Sequence, residues 1–375
     1  MPKKPLVYLG ILAALGLLLL APAHTTSLTG REKNTEAGAE TPTLIDVALY
    51  DTWGRNNRYI EDILEYNWTA GNHTYRFRVT TINADAVSGL ANTTLTTENF
   101  DVFIIGASAD SYLVDGLDPT WKHNVQQFVA NGGGYLGICG GANAASLGFE
   151  QPRNWFQRRV NRGALGLAGV YINDYFLGEW QYLLKYGFGR PDVDYGPNVT
   201  SSYISVNTSV HKTPDNAIFR GYNGSYRAIS YAGGPGMYPA GSEDPKHGSL
   251  IPLLTYNEEP MYTKPIHYWR PTVFGWKILG NVTTDLYGTY AGVATTYNGD
   301  GRVVLYGPHP EDRVVVNGTI YEYRGTGMLT FFFPFETYVF NYAGISLGET
   351  YNWWIVRRSA AWAANIPVEN LPPVT

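Results

Sequence analysis

Two short segments of the 375-residue chain carry residues that could do covalent chemistry together. The first is Gly134-Tyr135-Leu136-Gly137-Ile138-Cys139-Gly140-Gly141-Ala142, which holds the only cysteine. A small-x-Cys-x-small sequence that follows an apolar run and opens a helix predicts a nucleophile elbow, because the strained strand-to-helix turn tolerates no bulky flanks. Such a turn lifts the sulfur to the carboxyl end of a sheet and faces it to a helix N-terminus, whose partial positive charge favours thiolate. The second segment is Val303-Val304-Leu305-Tyr306-Gly307-Pro308-His309-Pro310-Glu311. A histidine just past a buried strand, with a carboxylate two residues on, can serve as base and orienter for a cysteine on a neighbouring strand. Tyr231-Ala232-Gly233-Gly234-Pro235 is expected at the same sheet edge, with Tyr231, Gly233, Gly234 and Pro235 as a wall of a substrate pocket.

Apolar runs alternating with amphipathic stretches predict βαβ units, hence an α/β fold with an open, mostly parallel sheet and helices on both faces. Strands are expected at Leu44–Tyr50, Tyr75–Ile82, Asp101–Gly106, Tyr135–Ile138, Arg227–Tyr231, Ile251–Tyr256, Gly292–Tyr297 and Val303–Gly307. Helices are expected over Arg55–Tyr66, with Ile60, Ile63 and Leu64 inward, and from Pro119 to Asn131, burying Trp121, Val125, Phe128 and Val129. Residues 151–226, rich in Tyr, Asn and Gly, read as irregular structure with short helices over one side of the sheet, and 350–365 as an amphipathic helix. The organisation expected is a signal at 1–23, a polar linker at 24–43, one domain over 44–365 and a tail at 366–375.

Residues 1–23 carry Lys3 and Lys4, an apolar run from Leu6 to Leu20, and Ala21-Pro22-Ala23, the three parts of a secretory signal. The run is shorter than the roughly 20 residues of a spanning helix, so cleavage is expected and a membrane tether follows only if the segment stays. Asn-x-Ser/Thr acceptors stand at Asn67, Asn72, Asn92, Asn198, Asn207, Asn223, Asn281 and Asn317. Together these predict a secreted or envelope-exposed glycoprotein. The formal charge of −5 excludes nucleic acid as a natural partner. One cysteine forbids an intramolecular disulfide and any zinc site built on two thiolates, and no close His/Asp/Glu spacing replaces them, so neither metal nor cofactor is expected. Nothing in the sequence sets an oligomeric state.

The segments GGGYLGICGGA, YAGGPGMY and VVLYGPHPE, in this order, resemble the class I glutamine amidotransferase-like fold, which is flavodoxin-like, and within it the family named after the N-terminal domain of biotin-protein ligases. The resemblance spans about Leu44 to Arg313. It implies Cys139 as nucleophile, His309 as general base and Glu311 as the residue orienting the imidazole. It also implies an oxyanion hole from the Gly140 N–H and one from the Gly106-Ala107-Ser108 loop. Relatives with amidotransferase activity usually carry paired glycines where this chain has Gly106-Ala107. No ligase module or ammonia-accepting domain is recognisable, so biotin ligation is not implied. The expectation is hydrolysis of an amide bond in a small molecule or peptide. The alternative is a catalytically inactive envelope glycoprotein using the same fold for binding or structure.

Overall fold

Apolar runs unbroken by charge become the centre of a sheet. A computed structural model describes residues 41–51, 57–173, 200–202, 204–241, 244–259, 267–272, 275–281, 285–324 and 338–375. Its strands are β1 (Thr43–Tyr50), β2 (Asn67–Ala70), β3 (His73–Ile82), β4 (Val102–Ile105), β5 (Gly134–Ile138), β6 (Val170–Ile172), β7 (Thr200–Ser202), β8 (Ile204–Val210), β9 (Tyr226–Tyr231), β10 (Met237–Pro239), β11 (Ile251–Tyr256), β12 (His267–Thr272), β13 (Gly275–Asn281), β14 (Tyr290–Tyr297), β15 (Gly301–Tyr306), β16 (Val315–Arg324) and β17 (Tyr338–Ser346). The helices are α1 (Asn57–Leu64), α2 (Ala84–Val87), α3 (Asp110–Leu113), α4 (Pro119–Ala130), α5 (Gly140–Ala145), α6 (Trp155–Gly163) and α7 (Trp353–Ala363).

The main sheet runs β2-β3-β1-β4-β5-β15-β14-β11-β8-β9, with β10 and β6 attached through β14. From β3 to β15 every neighbouring pair is parallel. Beyond β15 the sheet continues through antiparallel pairs. The α/β class is therefore the one expected, an open sheet whose parallel strands surround the candidate site. Helices α1 and α7 pack on one face with Val47, Leu136 and Val304. Helices α4, α5 and α6 pack on the other with Phe103, Tyr135 and Leu305. All four residues of β4 are fully buried, as a strand covered on both sides must be.

Local sequence explains the element ends. Asp118 caps α4 by accepting from the Thr120 N–H at 2.8 Å, and Pro119 supplies a first helical residue without an N–H. The helix stops at Asn131, where Gly132 takes φ 95°, and it buries Trp121, Val125, Phe128 and Val129 as the spacing predicted. Helix α1 buries Ile60, Ile63 and Leu64 completely, while residues 55 and 56 of the predicted helix lie outside the described residues.

The segment 151–226 differs from expectation at its end. Besides α6 it contributes β8, which pairs with β11 and β9 inside the main sheet rather than covering it. Ile204, Val206 and Thr208 are fully buried along β8, a period of two that its serines, threonines and asparagine conceal. Residues 174–199 of that stretch lie outside the described residues.

The expected tail at 366–375 also differs. Leu371 is buried, and the Trp68 indole donates to the Asn370 carbonyl at 2.8 Å. Arg358, buried on α7, donates to the carbonyls of Ala217 at 2.9 Å and Arg220 at 3.2 Å, and to those of Ile218 and Pro372. Burial, helped by Arg220, pushes its pKa down to about 10, against an opposing pull from Tyr306. Charge-assisted bonds to carbonyls are the stronger kind, and their loss strands the acceptors. Arg358→Met is expected to lower unfolding stability by about 3 kcal/mol in urea denaturation and to expose the last ten residues to proteolysis.

Trp354 and Trp362 on α7 are buried in the core. No helix among the described residues is long and apolar enough to cross a membrane, and residues 1–40, where a signal is expected, lie outside them.

Candidate active site

Strand β5 ends at Ile138, and Cys139 takes φ 55° and ψ −106° before α5 begins at Gly140. A non-glycine residue there is strained by about 1–3 kcal/mol, and the surroundings hold it in place. The Cys139 N–H donates to the Tyr306 carbonyl at 2.7 Å, tying the elbow to β15. Space alone selects the flanking glycines. A Cβ on Gly141 would lie 2.0 Å from the Ile105 carbonyl oxygen, one on Gly140 2.3 Å from that of Ser108, and one on Gly137 2.5 Å from that of Gly141. The elbow predicted from the small-x-Cys-x-small pattern is thus present, with backbone packed on backbone.

Strand β15 lies parallel to β5, so the turn after it, Gly307-Pro308-His309, emerges at the same edge. The His309 N–H donates to the Ser230 carbonyl at 2.7 Å, which anchors the turn to β9. Nδ1 of His309 lies 2.8 Å from Oε1 of Glu311, and both side chains are buried. Burial alone would lower the imidazole pKa. The charges of Cys139 and Glu311 and hydrogen bonds to both overcome it, holding the imidazolium well above the ordinary histidine range. Cys139 is itself buried, 3% exposed. The structure therefore brings Cys139, His309 and Glu311 together.

The 106–108 loop closes over the elbow. Gly106 O accepts from the Gly141 N–H at 3.0 Å and from the Ser108 N–H at 2.8 Å. The N–H groups of Gly140 and Ala107 make no backbone hydrogen bond among the described residues; Gly140 follows Cys139 directly, and Ala107 belongs to the loop whose Ser108 backbone packs on Gly140. Gly233 takes φ 97°, and Gly234 packs on the His309 turn: a Cβ on Gly234 would stand 1.7 Å from the Gly307 oxygen, and one on Gly307 1.9 Å from that of Pro235. Tyr231 donates to the Gly234 carbonyl at 2.9 Å and Tyr256 to that of Pro235 at 3.2 Å, so this wall is fixed by two phenols.

Sequence reasoning missed two residues beside the imidazole. Asp312 is buried with Oδ2 3.9 Å from His309 Nδ1, and its N–H donates to the His309 carbonyl. With His309 and Glu311 it forms a cluster whose ligand atoms lie within 4.8 Å of one another. Its position directly after Glu311 was the available signal. Ser230, fully buried on β9, is the antiparallel bridge partner of His309, and nothing in its local sequence marks it.

The sequon asparagines are mostly at the surface. Asn67, Asn72, Asn92, Asn207, Asn223 and Asn317 are exposed. Asn198 lies outside the described residues, and Asn281 is the last residue of β13.

No protein-family profile matches the chain, and no curated protein matches it. Among solved structures it is similar to PurLQS from Thermotoga maritima, at 14% identity over 84% of this chain and 97% of that one with a TM-score of 0.38. It is also similar to a glutamine amidotransferase from Thermotoga maritima, at 13% identity over 71% and 76% with a TM-score of 0.35. A putative ThuA-like protein from Bacteroides uniformis is similar at 10% identity over 74% and 87%, TM-score 0.36. At these scores the fold class rests on the strand order and pairing described above.

Proposed function

We propose that the chain is a secreted, amidotransferase-like cysteine hydrolase that cleaves an amide bond of a small molecule or peptide through Cys139, His309 and Glu311. The observation that carries this reading is one buried imidazole bonded to a carboxylate through Nδ1 and paired with the thiol of a positive-φ elbow. The order of the three amidotransferase-like motifs supports it, as does the exposure of the six sequon asparagines whose side chains are described.

In this mechanism His309 takes the Cys139 proton, and the thiolate attacks the amide carbonyl carbon. The S–C bond forms as the carbonyl pair moves onto oxygen, to which the Gly140 and Ala107 N–H groups donate as an oxyanion hole. Collapse re-forms the carbonyl and breaks the C–N bond, and the leaving nitrogen takes its proton from the imidazolium. Water, deprotonated by His309, then attacks the thioester; its C–O bond forms, the C–S bond breaks, the imidazolium returns the proton to the Cys139 sulfur, and the carboxylic acid leaves. Glu311 holds the imidazole with Nδ1 protonated throughout.

The test is an acyl adduct. Incubating the mature protein with a library of amides and measuring intact mass is expected to reveal an acyl group on Cys139 that hydroxylamine removes. A library that leaves the mass unchanged while Cys139 behaves as an ordinary thiol overturns the reading. The burial of Cys139 and His309 favours one alternative, an envelope glycoprotein that keeps this geometry as a binding or structural module.

A further inference from the structure

Ser230 lies across an antiparallel bridge from His309. As antiparallel bridge partners, Ser230 and His309 present their side chains on the same face, adjacent to one another. The Ser230 hydroxyl is fully buried and has no hydrogen-bond partner among the described residues. A buried hydroxyl without a partner is destabilising, and native structures seldom keep one without a use. Ser205, its neighbour across β8 and β9, has its hydroxyl engaged by the Val315 N–H at 3.1 Å. The empty valence therefore belongs to the position beside the imidazole.

We propose that Ser230 is a specificity residue of the Cys139 site, its hydroxyl accepting a hydrogen bond from the N–H of the scissile amide. The inference rests on the amide-hydrolase reading above. The imidazole delivers its proton to the leaving nitrogen, so the residue beside it meets that nitrogen. A hydroxyl acceptor there leaves the nitrogen lone pair free for the proton and favours amides over esters, which have no N–H to donate. Glu311 and Asp312 are also buried beside His309, which makes a neutral carboxamide a better occupant than an anion.

The test uses two alkylating probes that react with Cys139 itself, iodoacetamide, which carries a carboxamide, and methyl iodoacetate, which does not. Ser230→Ala is expected to slow iodoacetamide roughly three- to tenfold while changing methyl iodoacetate less than about twofold. The same variant should melt at or above the temperature of the unaltered protein, because it removes an unsatisfied buried hydroxyl. An unchanged ratio between the probes overturns the proposal, as does an equal slowing of both or a lowered melting temperature. Failure of the underlying reading looks different: His309→Ala would then leave both probes unaffected in the Ser230-containing protein.

Discussion

Replacing His309 by Ala is expected to slow alkylation of Cys139 by iodoacetamide about 30-fold or more at pH 6. An unassisted thiol, titrating near 8.5, is only about 0.3% thiolate at that pH. The buried imidazolium, held charged by Cys139 and Glu311 against its burial, favours the ionised sulfur in return. Part of the roughly 300-fold gain in thiolate is offset because a stabilised thiolate is a weaker nucleophile. The same coupling has a sign in stability. A histidine whose folded pKa is raised stabilises the protein fully below about pH 6.5 and loses that contribution as pH climbs through the raised value. Denaturation midpoints of the unaltered protein should fall along that alkaline limb, and His309→Ala should flatten it. An alkylation rate at pH 6 insensitive to the substitution would remove the basis for the triad.

The second large effect is structural. Gly141→Ala would put a Cβ 2.0 Å from the carbonyl oxygen of Ile105 and 2.9 Å from its carbon. Both are backbone atoms of β4, with no side chain to rotate away, so α5 must lift from the sheet. The Gly141 N–H bond to Gly106 would go with it. A loss of about 3 kcal/mol or more in urea unfolding is expected, accompanied by loss of fast alkylation. Gly71→Ala is the control: φ is 58° there and nothing lies within 4 Å, so only the strain of about 1 kcal/mol applies. Equal effects at the two positions would show that the elbow is not a close-packed device.

What the sequence disclosed follows from how local each signal is. The elbow, the Pro-His-Pro-Glu turn and the Gly-Gly-Pro loop are legible because each demand falls on consecutive residues: small flanks at Gly137, Gly140 and Gly141, and a carboxylate two positions from His309. Helix α4 is legible for the same reason, with a cap, a proline and a glycine stop in line. Strand β8 was hidden because its core-facing residues include Thr208 and its exposed face carries a sequon at Asn207. Arg358 and Ser230 were hidden more deeply. The partners of Arg358 lie up to 141 residues away, and Ser230 acquires meaning only through the bridge to His309. The docking of residues 366–375 likewise depends on Trp68 and Arg358, which no local pattern announces.

The pH dependence of Cys139 alkylation tests the central claim most directly, because the chain holds a single thiol and every event reports on it. The second-order rate with iodoacetamide should be nearly constant between pH 6 and 8, as for a thiolate held beside a persistent imidazolium. A rate that instead rises about tenfold per pH unit across that range, as an ordinary thiol near 8.5 dictates, would contradict the account.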